Sequence, residues 1–185
     1  MSKMFFLALA PIALFAGVAP AQAEGFRAEL HGGWDHPRGG GESDNGLLYG
    51  VGVGYDLPIG SAMFAGVEAN LEDSTARDCV GAGGVRSCLS AGRDISLGGR
   101  IGWNVSEKGK LYALAGYTNA RFKSSVTSAS GAKSSESDNL DGFRLGAGYE
   151  HQISGGLYGK AEYRYSNYEA GLSRHQILFG VGTRF

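Results

Sequence analysis

The chain has 185 residues, a formal net charge of −1 and 32 glycines, and 43% of its residues are hydrophobic. This length fits a single domain. The near-neutral balance leaves no basic patch that would attract nucleic acid, so no nucleic-acid partner is expected. Glycine far exceeds its usual share of roughly 7% without a collagen-like repeat.

Residues 1–23 have the pattern of a secretory signal peptide. Lys3 precedes an apolar run that ends in a small-x-small site at Ala21 and Ala23. The run is short for a membrane helix, which needs roughly 20 apolar residues, and two prolines interrupt it. We therefore expect export, cleavage after Ala23 and a mature domain of residues 24–185.

The mature chain alternates between apolar and polar residues with a period of two, which is typical of β-strands. Eight such stretches follow one another, each about 9–12 residues long, as a tilted transmembrane strand requires. They are predicted at residues 26–35, 47–56, 63–71, 94–105, 111–122, 140–151, 157–168 and 175–185.

In the fifth stretch the alternation is weaker, and its two faces are less distinct. Its apolar face is predicted to carry Tyr112, Leu114, Gly116 and Phe122. The opposite face is predicted to carry Tyr117, Asn119 and Arg121.

The connections between these stretches alternate in length. Three are tight and rich in turn-forming residues, at 57–61, 106–110 and 152–156. The others are polar: three long ones at 36–46, 72–93 and 123–139, and a shorter one at 169–173. Short turns at one end and longer loops at the other are typical of outer-membrane barrels. An even number of strands then closes up-and-down without a crossover, with both termini at the short-turn end.

One face of the strands carries charges of both signs among many glycines, which suits a narrow lumen. The charged positions are Arg27, Glu29, Glu68, Arg100, Arg144, Glu150, Lys160, Glu162, Arg164 and Arg184. An eight-stranded barrel is just wide enough for side chains to fill it. We expect these charges to pair across the lumen, because an unpaired buried charge is very costly. A gate or a narrow conduction path is the alternative.

The other face is apolar and has aromatic residues near the strand ends, like the girdles at membrane interfaces. A soluble barrel would bury this face and expose the charged one. The predicted fold is therefore an all-β, eight-stranded antiparallel transmembrane barrel, with a soluble barrel or sandwich as the alternative.

The last stretch ends on Phe185, with Phe179 and Val181 on the same face. A closing strand that ends on an aromatic residue resembles the assembly signal of bacterial outer-membrane β-barrels. Further motifs are LGAGYE at 145–150, AEYRYSNY at 161–168, RHQ at 174–176 and GVGTRF at 180–185. On these residues the mature chain resembles the small outer-membrane barrel family that includes the transmembrane domain of OmpA and the opacity-type surface proteins.

The resemblance implies a monomer in the bacterial outer membrane, surrounded by outer-membrane lipid. It also implies insertion by the barrel-assembly machinery, helped by periplasmic chaperones, with Phe179, Val181 and Phe185 as the assembly signal. The implied function is that of a structural or surface protein of the porin-like family with at most a small pore. An adhesin-like module that binds a host or surface ligand through the long loops is the alternative.

Cys79 and Cys88 are the only cysteines, and both lie in the second long connection. An exported protein most often pairs two such cysteines, so a disulfide is expected. No histidine lies nearby, and no metal site is predicted. The Ser-rich stretch 123–139 has the composition of a mobile, solvated segment.

Some eight-stranded outer-membrane barrels are lipid A deacylases or acyltransferases. The deacylase resemblance would rest on a His-x-Ser in a late strand, where this chain has Arg164 and Ser166. His151 and His175 fall on the predicted lipid face, and His31 falls on the lumen face. We therefore predict no catalytic residues and no cofactor, and a lipid-modifying enzyme remains the third hypothesis.

Overall fold

The computed structural model describes residues 25–38 and 45–185. The predicted signal peptide, with its cleavage site at Ala21 and Ala23, lies outside the described residues. Nine β-strands and one short 3₁₀ turn account for most of the described chain. They are β1 Gly25–Arg38, β2 Gly46–Ile59, β3 Met63–Ser74, β4 Arg77–Ala82, β5 Val85–Asn104, β6 Gly109–Thr127, β7 Lys133–Ser154, β8 Leu157–Tyr168, the 3₁₀ turn Glu169–Gly171 and β9 Ser173–Arg184.

Eight of the strands form a closed ring. All pairs are antiparallel; β1 pairs with both β2 and β9, and the pairing of β3 with β5 closes the barrel. The predicted eight-stranded up-and-down architecture is therefore confirmed. Among the described residues, the ninth strand, β4, pairs only with β5, and it lies in the second long connection, which the sequence predicted as a loop. Within the described ranges, no helix is long and apolar enough to cross a lipid bilayer.

The strands alternate between the lumen and the outer surface as their hydrophobic pattern requires. On β1, Arg27 and Glu29 are buried, whereas Phe26 and Leu30 are more than half exposed. The same division holds around the ring, so the core of the molecule is polar and its outer surface is apolar. A water-soluble barrel has the opposite arrangement.

The predicted faces of the fifth stretch are wrong. On β6, Tyr112, Leu114 and Phe122 are buried in the lumen, whereas Tyr117 is 52% exposed on the outer surface. The register explains the inversion, because Tyr117 pairs with Leu97 of β5 and with Phe143 of β7, which both face outward. This strand has aromatic residues on both faces, so its sequence lacks the polarity contrast on which the assignment rested.

The third long connection, predicted as a solvated loop, is mostly an extension of β6 and β7. Lys123 pairs with Ser137 and Thr127 with Lys133, which leaves a tight turn at Gly131, where φ is +82°. Beyond the barrel, water bathes both faces of a strand, so the apolar–polar contrast disappears from the sequence while the strand pairing continues. We call the projecting sheet the ribbon, which comprises residues 77–93, 121–127 and 133–139.

Candidate functional site

The lumen is filled with charged side chains of both signs in equal number. Among the described residues, eight carboxylates and seven cations are buried, and the partly buried Arg184 is the eighth cation. The carboxylates are Glu29, Asp35, Asp56, Glu68, Glu72, Asp94, Glu150 and Glu162. The buried cations are Arg27, Arg100, Lys110, Arg144, Lys160, Arg164 and Arg174.

At the long-loop end of the lumen, arginines from β7 and β9 share carboxylates. Arg174 donates from Nε to Asp35 at 3.0 Å and from Nη1 to Asp94 at 3.0 Å. Arg144 donates to the other side of this cluster, at 2.5 Å to Asp94 Oδ2 and 3.2 Å to Glu72 Oε2. The two arginines are tolerated side by side because Asp94 lies between them.

In the middle of the lumen, Glu72 of β3 is the junction of the network. It accepts hydrogen bonds from Arg144 and from Arg164, which reaches it from the opposite side of the ring. His31 Nε2 lies 2.9 Å from Glu72 Oε1, and Arg164 also contacts Glu162 on its own strand. The carboxylate of Glu72 thus contacts side chains of β1, β7 and β8, none of which is a neighbour of β3 in the sheet.

Towards the short-turn end, the network continues through alternating charges. Lys160 bridges Glu29 and Glu162, and Arg27 donates to Glu29 at 3.1 Å and to Glu68 at 2.6 Å. Arg100 continues the chain to Asp56 and Glu150, and Arg184 ends it on Glu150. Ion pairs therefore connect the whole length of the lumen.

Apolar and aromatic side chains close the lumen at both ends of this network. At the long-loop end, Phe122 and Tyr168 pack edge to face at 5.7 Å over buried alanines of β5 and β6. At the short-turn end, the Arg100 guanidinium lies 5.0 Å from the Phe64 ring, and Arg184 lies 4.1 Å from the Tyr158 ring. These cation–π contacts hold the last charges against aromatic faces rather than water.

The structure brings all ten sequence-predicted lumen residues into this network. The ten predicted lumen charges leave out five members of the ion-pair network, namely Asp35, Asp56, Glu72, Asp94 and Arg174. The two-residue period places all five on the polar faces: Asp35, Asp56 and Asp94 within the predicted strands, and Glu72 and Arg174 one step beyond their ends.

The ribbon carries the disulfide. Cys79 of β4 and Cys88 of β5 are directly opposite in the register, with 4.0 Å between their Cα atoms. A cavity of about 510 Å³ lies over the disulfide, and its charged lining residues are Arg77, Asp78, Arg86 and Lys133. The structure thus places the cysteines in an ordered sheet outside the barrel.

The histidines considered for catalysis lie in two different settings. His31 is buried in the lumen network, whereas the Nδ1 atoms of His151 and His175 lie 3.1 Å and 2.7 Å from tyrosine hydroxyls on the outer surface. Arg164, at the position of the deacylase histidine, pairs with Glu72 and Glu162. Across the described ranges, no group of three or more potential ligands could hold a metal ion.

The family model of the outer membrane protein beta-barrel domain matches residues 6–185. The chain belongs to this family. It is 31% identical over 127 residues to the 22 kDa outer membrane protein of Rhizobium leguminosarum bv. viciae, an alignment that spans 55% of this chain and 58% of that protein. The family and this relative place the chain in the bacterial outer membrane.

Two solved structures share the fold at low sequence identity. Ail, the attachment invasion locus protein of Yersinia pestis, in complex with the heparin analogue sucrose octasulfate, is 18% identical with a TM-score of 0.60, over 88% of this chain and 99% of Ail. Neisserial surface protein A is 16% identical with a TM-score of 0.59, over 86% of this chain and 97% of that protein. At this identity the comparison describes architecture, and activity has to be argued from this chain's own residues.

Proposed function

We propose that the protein is a non-conducting barrel that anchors and presents the ribbon at the cell surface. The observation that supports this proposal is the continuous ion-pair network through the lumen. An ion that passed would have to separate pairs such as Arg144 and Asp94, whose atoms lie 2.5 Å apart. Breaking a buried pair costs about 3–5 kcal/mol, and several lie in series.

The closures at the two ends add a second barrier. Phe122 and Tyr168 place apolar surface across the long-loop end, where a hydrated ion would have to lose its water. A hydrophobic constriction of this kind blocks conduction by excluding water. The porin-like resemblance then describes architecture, and the proposed role is structural.

Single-channel recording of the refolded mature protein in a planar bilayer tests the proposal. We expect silence from the wild type and from a variant that combines Arg144→Ala with Glu150→Ala, because the remaining pairs and both closures persist. Lys108→Ala, in the exposed short turn, is the control. Stable openings whose conductance or ion selectivity changes in the double variant but not in Lys108→Ala would instead identify a pore lined by the lumen charges.

A second proposed function is an adhesin-like one, in which the ribbon binds a host or surface ligand. The ribbon favours it, because a disulfide-closed sheet of paired strands presents a fixed surface. The fold is shared with Ail, which has been solved with a heparin analogue. A sheet also loses less conformational entropy on binding than a mobile loop does.

Shortening the ribbon separates the two functions. Replacing residues 124–136 with a two-residue Asn-Gly turn should leave the barrel folded, which a heat-dependent mobility shift on a gel would detect. We expect bacteria that display the shortened chain to lose adhesion to host cells while the barrel persists. Unchanged adhesion with the ribbon shortened would remove the binding function from this part of the chain.

A lipid-hydrolysis assay, in which we expect no activity, addresses the enzyme hypothesis.

A further inference from the structure

The ribbon separates its charges between its two faces. Residues that pair across β4, β5, β6 and β7 share a face, so the register shows on which face of the ribbon each side chain lies. Arg77, Ser90, Lys123 and Ser137 form one row on the outward face. The next row towards the barrel contains Arg121, which pairs with Asn139. Arg93 belongs to the same row, since its Nη2 lies 3.5 Å from Asn139 Oδ1.

The outward face therefore carries four neighbouring cations in two adjacent rows, and two more cations, Arg86 and Lys133, two rows farther from the barrel. Arg77, Arg93, Arg121 and Lys123 are all exposed, and none of them forms an ion pair with another described residue. The ribbon's carboxylates lie on the opposite face, where Glu136 pairs with Ser124 and Asp138 with Phe122. Asp78 shares that face with them by register, although it also borders the cavity over the disulfide. Such segregation is not needed for solubility, which mixed charges provide.

The cationic face is a direct continuation of the lipid-facing surface. On β6 the outward positions run from Tyr117 through Asn119 and Arg121 to Lys123, and Tyr117 belongs to the exposed apolar band. The nearest outward carboxylate on these strands, Asp141, accepts hydrogen bonds from Tyr117 at 2.5 Å and from Asn119 at 2.6 Å. Both donors are neutral, so Asp141 keeps its negative charge, and the four cations above it outnumber it.

The height of these cations above the bilayer follows from strand geometry. A strand rises about 3.3 Å per residue and tilts by about 40° in such barrels, so Arg121 lies about 10 Å and Lys123 about 15 Å above Tyr117 along the membrane normal. Interfacial tyrosines sit at the headgroup level. From these heights the lower row, Arg93 and Arg121, reaches down to the headgroup layer, and the upper row, Arg77 and Lys123, lies just above it.

We propose that Arg77, Arg93, Arg121 and Lys123 form a binding surface for the phosphate groups of outer-leaflet lipid. The cations point away from the barrel axis, towards the surrounding lipid. A ligand that arrives from solution would not require this orientation, because it can approach the ribbon from any direction. Arginine suits this role because its planar guanidinium binds phosphate with two hydrogen bonds. The surface fixes the ribbon against the membrane and does not depend on whether the lumen conducts.

A tryptophan placed beside the cations can report which lipid occupies this surface. Leu97 lies on the lipid face of β5, four residues from Arg93, and is 63% exposed. Leu97→Trp, in a chain that also carries Trp34→Phe and Trp103→Phe, gives a single reporter. The chain is reconstituted in vesicles of brominated phosphatidylglycerol or brominated phosphatidylcholine mixed with the unbrominated lipids. Fluorescence quenching then gives the relative affinity for the anionic and the neutral lipid.

The test compares two triple variants of equal charge change. Arg93→Gln, Arg121→Gln and Lys123→Gln remove three of the four cations. The control combines Arg86→Gln and Lys133→Gln, farther out on the ribbon, with Lys108→Gln in the short turn at the opposite end of the barrel, and all three control residues are exposed. We expect a preference of about fivefold or more for the anionic lipid in the parent chain, since each basic residue near a membrane contributes about 1 kcal/mol. The preference should fall several-fold in the first variant, which keeps Arg77, and persist in the control. If the first triple variant fails to fold, Arg121→Gln alone and the salt dependence of the parent chain provide the same comparison.

Three results would overturn the proposal. One is a parent chain without lipid preference, and another is an equal loss in both triple variants, which would report net charge alone. The third is a preference that an excess of inorganic phosphate or heparin abolishes at constant ionic strength, which would assign the cations to a soluble polyanion. A preference for anionic lipid that falls only when Arg93, Arg121 and Lys123 are replaced, and that both competitors leave unchanged, supports lipid phosphate.

Discussion

Glu72→Gln is the sharpest test of the lumen network, because it removes one charge from its junction without changing the side-chain volume. Glu72 is 2% exposed and has three partners in the lumen. Arg144 Nη1 lies 3.2 Å and His31 Nε2 2.9 Å from its carboxylate oxygens, and Arg164 also donates to it. Glutamine retains a single carbonyl acceptor for all of them.

The size of the expected loss in stability depends on the ion pairs that the two arginines retain. Removing one member of a buried ion pair costs about 3–5 kcal/mol. Arg144 retains Asp94 at 2.5 Å, and Arg164 retains Glu162, so neither guanidinium loses every partner. We therefore expect the lower end, a loss of about 3 kcal/mol in the free energy of unfolding.

The assay is urea unfolding of the refolded protein in lipid vesicles, followed by the fluorescence of the lipid-facing Trp34 and Trp103. The midpoint should fall while the slope stays constant, because the surface exposed on unfolding does not change. Glu107→Gln, in the exposed short turn, should alter stability by less than about 0.5 kcal/mol. A loss below about 1 kcal/mol for Glu72→Gln would mean that lumen water solvates the arginines, and the argument for a closed lumen would fail.

Three further predictions concern other parts of the chain. Gly182→Ala should destabilise the barrel by about 1–3 kcal/mol in the same assay, because the added Cβ would lie 2.5 Å from Tyr158 Cζ. Reducing the bond between Cys79 and Cys88 should leave the heat-dependent gel shift of the barrel intact and accelerate proteolysis within the ribbon, since the disulfide lies outside the ring. Phe185→Ala should lower the amount of barrel assembled in cells while the protein refolded in vitro keeps its stability. An equal loss in both settings would make Phe185 a packing residue rather than an assembly signal.

The fold could be predicted from the sequence because a lipid-facing barrel imposes one rule on every strand. Residues such as Arg27 and Phe26 alternate in polarity, and the membrane and the lumen both enforce that contrast. The rule failed on β6, where Tyr112 and Tyr117 give both faces the same character. It also failed in the ribbon, where residues 123–127 pair as a strand without any contrast to reveal them.

The partners within the lumen could not be predicted, because they depend on how the ring closes. Arg164 and Glu72 meet across the barrel from β8 and β3, which are not neighbours in the sheet. Strand tilt and stagger determine their contact, and the local sequence pattern specifies neither of them. Sequence reasoning could therefore identify the charged set on the lumen face but could not identify Glu72 as its junction.

This division of constraints explains why the fold is shared with structures only 16–18% identical to this chain. The outer surface needs apolar side chains of no particular shape, because lipid adapts to whatever it contacts. The lumen needs equal numbers of opposite charges, and a pair can move along the ring provided that the balance is kept. Neither requirement selects a ligand. Any function that distinguishes this protein from its structural neighbours must therefore come from residues free of both constraints, and the described chain concentrates those residues in the ribbon.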